Sequence, residues 1–473
     1  MVILATNIPS EIERAFNSRT FSLHIKGSAG TGKTILALEL GKRFLDGGVV
    51  IYLSARVKPE KFYRLFPWCE SWIRQENILD VKSNIFPRDK EETLFEYVDK
   101  PSFFRSLYSR IVEAGVENIT VILDGLEYLK YNVKIPENDY SIECDILEMA
   151  EKLNANVIFI SETDGEGKLD YLVDGIVRLE KEFIDGQILR KLYIEKIRGV
   201  RIENSVYLFT LKDGRFTCFE KGIQTYPSTA DLPKVEKKEG KISTLIPELD
   251  NVLRGGFNRV SLNIFDVGDR VGVEHAYFLT PMFFNFIRQG YPVFSMPSKG
   301  IYSTDLLRYI PQSVMGKEVF DLLKRYFHVL RPSSFSPPIT DTYGNYFFEG
   351  IDPDGELNRL KQIITSILNE TRSDTPIVSI ASDTMEYIYG SKYLLKIVQA
   401  WIDQIKQLNG VIIIFQFRHS PLKSLTHLAS SYFKVENMYG NLIFYGQSPK
   451  TKLYVAGLDI SNKYVQTRLT PIE

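Results

Sequence analysis

Cysteine is scarce in this chain. Three residues, Cys69, Cys144 and Cys218, are spread through 473 positions with no C-x-x-C spacing. An odd, scattered set offers no disulfide framework and points to a reducing compartment. Histidine is nearly as rare. His24, His275, His328, His419 and His427 lack metal-ligand spacing, which removes histidine-based metal chemistry from the expected functions. Excess charge is also missing, because 58 Lys and Arg stand against 59 Asp and Glu. The molecule as a whole therefore exerts no long-range pull on nucleic acid or anionic membrane. No apolar run approaches the ~18 residues needed to cross a bilayer. The opening "MVILATNIPSEIER" has neither the basic stretch nor the apolar core of a signal peptide. The expected location is the cytoplasm, with no membrane partner.

What is present is the composition of a folded protein, 44% hydrophobic and 25% charged. The length exceeds one ordinary core and suggests two domains of roughly 230 residues. Residues 27–34, "GSAGTGKT", have the spacing of a phosphate-binding loop. "FSLHIK" (21–26) before it reads as a strand, and "TILALELGKRFL" (34–45) after it has helical apolar spacing. In that setting Gly27, Gly30 and Gly32 let main-chain amides turn inward, with Ser28, Ala29 and Thr31 completing the cradle. Lys33 reaches the β and γ oxygens, and Thr34 offers its hydroxyl to Mg²⁺. ATP and Mg²⁺ are the expected ligands. A metal-bound phosphate needs a carboxylate at a nearby strand end, and Asp124 supplies it by closing the run "ITVIL". With "VVIYLS" (49–54) and "ANVIFIS" (155–161), this half reads as an α/β fold, a mainly parallel sheet flanked by helices.

Together these motifs resemble the RecA/KaiC group of P-loop ATPases. The stretch "DGIVRLEKEFIDGQILRKLYIEKIRGV" (174–200) is similar to the KaiC-type ending, a strand carrying Lys-x-Arg-Gly, here Lys196, Arg198 and Gly199. The resemblance implies that Lys196 and Arg198 reach across a subunit boundary to a neighbour's γ-phosphate, and so implies a homo-oligomer. "YLSARVKPEKFYRLFPW" (52–68), with a phosphate loop so near the start, resembles the GvpD family of archaeal gas-vesicle regulators. That likeness implies control of gene expression through a protein partner.

"YPSTADLPKVEKKEGK" (226–241) reads as a linker between a nucleotide-binding domain, 1–225, and a second domain, 242–473. "ISTLIPELDNVLRGGFNRVSLNIFDVGDRVGVEH" (242–275) resembles the opening of a KaiC-type domain, so the chain reads as two tandem RecA-like domains. "DGLEYL" (124–129) answers to "DTMEYI" (383–388), "VIFISE" (157–162) to "IIIFQF" (412–417), and "RKLYIEKIRG" (190–199) to "TKLYVAGLDI" (451–460). The second copy lacks the site's chemistry. Gly272 is followed by Val273, Glu274 and His275 instead of lysine, and Asp266 and Asp269 add negative charge. Each carboxylate would repel a phosphate by about 4 kcal/mol at about 4 Å in a medium of effective dielectric about 20. On the last alignment Gly457 and Asp459 replace Lys-x-Arg. The second site is expected to be degenerate. "AYFLTPMFFNFI" (276–287) fits a buried helix.

The first half also lacks something. The resemblance implies a glutamate at the end of the second strand to orient the attacking water, yet the sequence there is Ala55, Arg56, Val57. Binding with slow turnover is the expectation. Glu127 and Glu162 are the substitute candidates, Glu127 weakened because Glu386 keeps its spacing in the degenerate half. Three functions follow: an ATP-dependent regulatory switch, a RecA/RadA-like DNA-dependent ATPase, or a KaiC-like autokinase. The loop "TDGEGKLD" (163–170) is net acidic, which argues against nucleic acid. No distinctive feature marks the kinase.

Overall fold

The computed structural model describes residues 8–17, 20–54, 57–80, 100–116, 118–132, 136, 139–162, 165, 167–228, 238–298, 317–333, 344–417, 421–461 and 464–473. The chain divides into two compact units. One runs to Glu220 and includes Ile472–Glu473, and the other is Lys221–Pro471. Residues 229–237 of the expected linker lie outside the described residues.

The N-terminal unit contains α1 (Ser10–Phe16), β1 (Ser22–Lys26), α2 (Lys33–Arg43), β2 (Val49–Ser54), α3 (Pro59–Leu65), β3 (Ile78–Asp80) and α4 (Lys100–Ala114). It continues through β4 (Ile119–Asp124), α5 (Leu126–Asn132), α6 (Ser141–Lys152), β5 (Ala155–Ile160), α7 (Leu169–Leu172), β6 (Gly175–Ile184), β7 (Gln187–Ile197), β8 (Val206–Thr210) and β9 (Thr217–Phe219). The sheet order is β3-β2-β4-β5-β1-β6-β7-β8-β9. Strands β3 to β6 pair in parallel, and β6 to β9 pair antiparallel. Parallel strands covered on both faces need nearly continuous apolar runs, and Ile119–Leu123 is buried throughout. Ile122 and Ile158 pack with Leu36 and Leu40 of α2 on one face, while Val121, Leu123 and Phe159 meet Leu107 and Ile146 on the other. Each such side chain contributes about 1.5–3 kcal/mol on burial. The β6–β7 hairpin turns at Asp185-Gly186, both at positive φ (51° and 75°), the Asp-Gly pairing that a two-residue turn favours.

The C-terminal unit contains β10 (Gln224–Pro227), β11 (Lys241–Ile242), α8 (Pro247–Val252), β12 (Phe257–Asn258), β13 (Ser261–Val267), α9 (Glu274–Arg288), β14 (Val293–Met296), β15 (Phe327–Pro332) and β16 (Gly344–Phe348). After these come β17 (Ile377–Ala381), β18 (Val411–Phe417), β19 (Ser431–Met438), β20 (Asn441–Ser448), β21 (Tyr454–Ile460) and β22 (Val465–Pro471). Its main sheet contains the order β15-β14-β17-β18-β13-β19-β20-β21. That repeats β3-β2-β4-β5-β1-β6-β7-β8 strand for strand, with the change from parallel to antiparallel at the same place. The fold is two tandem copies of one α/β design. Phe278, Met282 and Phe286 of α9 are buried, as its composition requires.

One alignment read from sequence is corrected by this topology. Strand β7 forms a hairpin with β6, so its counterpart is β20, which forms the hairpin with β19. Residues 451–460 lie largely on β21, the counterpart of β8, so Gly457 and Asp459 are not the replacements for Lys196 and Arg198. Alternating strand patterns resemble one another at period two and carry no information on which neighbour they pair with.

Candidate functional site

Strand β1 delivers the chain to its carboxyl end, where residues 27–32 curl into the start of α2. Gly27, Gly30 and Gly32 have φ of 143°, 75° and 105°, conformations that an L side chain resists. A Cβ on Gly27 would also collide with the carbonyl oxygen of Leu179 on β6, and one on Gly32 would lie 2.9 Å from the Leu211 side chain. Thr31 Oγ1 donates to the Ser28 carbonyl at 2.9 Å. The buried Lys33 ammonium donates to the carbonyls of Gly27 (2.6 Å) and Ser28 (2.9 Å), which holds it across the loop.

Asp124 ends β4, with β5 standing between it and β1. Its Oδ2 accepts from Thr34 Oγ1 at 2.8 Å and from the Tyr52 hydroxyl at 2.5 Å. Burial, reinforced by the charge of Asp124, raises the Tyr52 hydroxyl well above its ordinary pKa, so it stays protonated and donates. A cleft of about 360 Å³ is lined by Gly30, Lys33, Thr34, Asp124 and Glu162, with Leu65, Phe66 and Leu211 among its apolar walls. Mg²⁺ takes oxygen ligands and is commonly held by one or two protein groups plus phosphate and water. The Thr34 hydroxyl and Asp124 carboxylate beside a glycine cradle fit that need. Among the described residues no cluster of three or more His, Cys, Asp or Glu side chains forms a cage by itself.

Strand β2 ends at Ser54, in register with Asp124, and Ser54 lines the cleft. Its Oγ accepts from the Val57 amide at 2.8 Å. The water-orienting carboxylate was sought just past this strand end, at Ala55, Arg56 and Val57. Val57 lines the cleft too, whereas Ala55 and Arg56 lie outside the described residues. Glu162 reaches the cleft from the end of β5. Glu127 Oε1 instead accepts the Glu162 amide at 3.0 Å, so Glu127 holds the backbone on which Glu162 sits.

Lys196 and Arg198 lie at the opposite end of the sheet from the phosphate loop. Ile197 pairs with Gly175, and Gly175 pairs with Leu23 near the start of β1. Lys196 Nζ donates to the carbonyls of Asp170 (2.7 Å) and Val173 (2.6 Å) around α7. The exposed Arg198 pairs with Asp174 at 3.2 Å and donates to the Tyr171 carbonyl at 3.3 Å.

Sequence reading missed Tyr52. A tyrosine inside a buried parallel strand signals that its hydroxyl has found a partner, which was the available clue. It also missed a polar cluster beneath the loop. His24 Nε2 lies 2.6 Å from Ser161 Oγ, and Nδ1 lies 2.7 Å from Asp170 Oδ1. Those distances suit a nucleophile relay, but Ser161 and His24 are each 3% exposed and neither lines the cleft. The cluster binds elements together: Lys26, adjoining Gly27, pairs with both Asp170 (3.1 Å) and Glu195 (2.8 Å). Burial alone would raise the Asp170 carboxyl. Hydrogen bonds from His24, the Gly167 amide and Lys26 outweigh that and hold it well below the usual range.

At the matching place in the C-terminal unit, Val273 follows Gly272 and is exposed. The Glu274 carboxylate folds back over Gly272, 2.9 Å from where a Cβ would sit, and His275 Nδ1 contacts the Gly272 carbonyl at 2.5 Å. Beside His275, Phe283, Phe415 and Phe417 leave a cavity of only about 20 Å³, room for about one water.

A glycine phosphate loop, a hydroxyl–carboxylate pair and an intervening strand define a P-loop protein of the RecA/KaiC type. Residues 12–195 match the family model of the GvpD gas vesicle protein, P-loop domain. Protein GvpD2 of Halobacterium salinarum is 25% identical to this chain, covering 98% of it and 96% of GvpD2. Protein GvpD1 of the same organism is 30% identical, over 68% of this chain and 61% of GvpD1. Circadian clock protein KaiC2 of Synechocystis sp. is 25% identical over 50% of this chain and 42% of its own length. The chain thus carries a P-loop domain that matches the GvpD model over residues 12–195, and it is similar to the GvpD proteins and to KaiC2. No helix among the described residues is long and apolar enough to cross a membrane.

Proposed function

We propose that the protein binds Mg–ATP in its N-terminal unit alone, hydrolyses it slowly, and acts as a nucleotide-dependent switch on a protein partner. The observation that carries this reading is the contrast between the two loops: one presents glycine-shaped backbone, Lys33, Thr34 and Asp124, and the other is filled by Glu274 and aromatic rings. In the working site, main-chain amides and Lys33 would hold the phosphates, and Thr34 and Asp124 would hold Mg²⁺, which supplies charge neutralisation when bound. Tyr52 orients Asp124. Slow turnover follows from the lack of a carboxylate at Ala55-Arg56-Val57 past the end of β2, with Glu162 as the remaining carboxylate on the cleft. The likeness to GvpD proteins supports a regulatory role connected with gas vesicles, through control of gene expression.

Lys196 and Arg198 point away from their own loop, which supports a contact with the phosphate of a second copy. Light scattering should show the mass rising with ATP, and the double substitution Lys196→Ala, Arg198→Ala should remove that rise. An unchanged mass would count against the contact. Calorimetry with Mg–ATP tests the central reading: a stoichiometry near one supports it, and a value near two or no binding overturns it. Turnover should fall well below the enzyme median of about 10 per second.

A further inference from the structure

Arg190 lies on β7 among buried residues and is 8% exposed. Its guanidinium donates only to main-chain oxygens. NH1 reaches the carbonyl of Gly30 at 3.2 Å and that of Thr31 at 3.5 Å, and Nε reaches the main-chain oxygen of Glu473 at 2.8 Å. No Asp or Glu side chain pairs with it among the described residues; the Glu473 oxygen belongs to the carboxylate of the chain's last residue. The Glu473 oxygen also accepts the Leu211 amide at 3.0 Å, and the Leu211 side chain covers Gly32 and lines the cleft. Arg190 and Leu211 thus grip the outer side of the phosphate loop and share one acceptor.

A loop whose amides point inward must turn carbonyls outward, and buried carbonyls need donors. Arg190 supplies them to Gly30 and Thr31 in the middle of the loop. A planar guanidinium spans several acceptors at once, which a lysine ammonium does less well.

The other half of the molecule provides an independent check. There the hairpin arm corresponding to β7 is β20, and its positions on the core-facing side include Leu442 and Phe444, both buried. The half with a phosphate loop carries an arginine behind it, and the half without one carries apolar side chains.

We infer that Arg190 is a positioning residue for phosphate binding, fixing the outward carbonyls of Gly30 and Thr31 and placing a positive charge behind the loop. This rests on the nucleotide reading above and adds a specific source of phosphate affinity to it. The test compares the unaltered chain with Arg190→Met and Arg190→Lys. Affinity is measured by calorimetry for Mg–ATP and for pyrophosphate, and melting temperature is measured without ligand. Arg190→Met should weaken both ligands at least 10-fold and also lower the ligand-free melting temperature, because the Gly30, Thr31 and Glu473 oxygens lose their donor. Arg190→Lys should recover part of the loss. If Arg190→Met fails to fold, Arg190→Lys decides alone, with weakened pyrophosphate binding at unchanged melting temperature supporting the inference. Unaltered affinity in the variants, or a loss of affinity in Arg190→Lys matched by a fall in its ligand-free melting temperature, overturns it while leaving the nucleotide reading standing. Failure of the unaltered chain to bind either ligand overturns both.

Discussion

Between β1 and α2, three glycines hold positive φ and a lysine spans the loop. Between β13 and α9, at the same point of the same topology, Gly268 and Gly272 keep ordinary φ and a carboxylate folds over the turn. The flanking strands pair in the same order in both units. Sheet topology therefore does not by itself make a phosphate site. The difference lies in eight residues of backbone shape and in what stands behind them, Arg190 in one unit and aromatic packing in the other. A duplicated fold keeps its core after losing its chemistry because the core depends on apolar strands and helices, whereas the site depends on a few polar atoms at fixed distances.

The sharpest way to break this contrast is to remove the cation. Lys33→Ala should weaken Mg–ATP about 1000-fold, near 4 kcal/mol, while Glu274→Ala leaves calorimetric affinity and stoichiometry unchanged. Binding restored or doubled by the second change would mean that the C-terminal loop retains a site. Backbone shape can be tested separately. Gly27→Ala combines positive-φ strain with a collision against Leu179, so it should destabilise the loop or the N-terminal unit by about 4 kcal/mol. Gly268→Ala meets only ordinary contacts and should cost less than about 1 kcal/mol in denaturant unfolding.

Acid should also separate the units. His328, stacked on Phe294 in the C-terminal unit, has its pKa lowered by burial to about 4. The unfolded chain takes up that proton near pH 6.5, so stability is full above that pH and falls between about 6.5 and 4, by about 3 kcal/mol in all. The N-terminal unit holds Asp170 depressed, a contribution present above the ordinary carboxylate pKa and lost only as pH falls below it. Unfolding followed by denaturant at pH 7, 5 and 4 should show the C-terminal unit weakening first, and His328→Leu should remove the larger part of its dependence in that window, with His275, also lowered by burial, carrying the rest. A pH-independent C-terminal unit would contradict the burial argument.

The smallest expected effect concerns turnover. Val57→Glu places a carboxylate on the cleft just past the end of β2 and should raise hydrolysis about 10-fold, equivalent to about 1.4 kcal/mol of barrier. A phosphate-release assay showing no change would move attention to Glu162.

The sequence by itself determined the α/β class, the tandem repeat, the phosphate loop with Asp124, and the loss of lysine at Val273. These are local signals: a fixed spacing, a strand-to-helix change of period, and the presence or absence of a charge. Tertiary structure alone decided that Tyr52 donates to Asp124 across 72 positions and that Arg190 grips the loop across 160. It also turned Glu127 toward the Glu162 amide and matched β7 with β20. Such contacts depend on strand order and register, and an alternating pattern tells which face a side chain takes without telling which strand lies beside it.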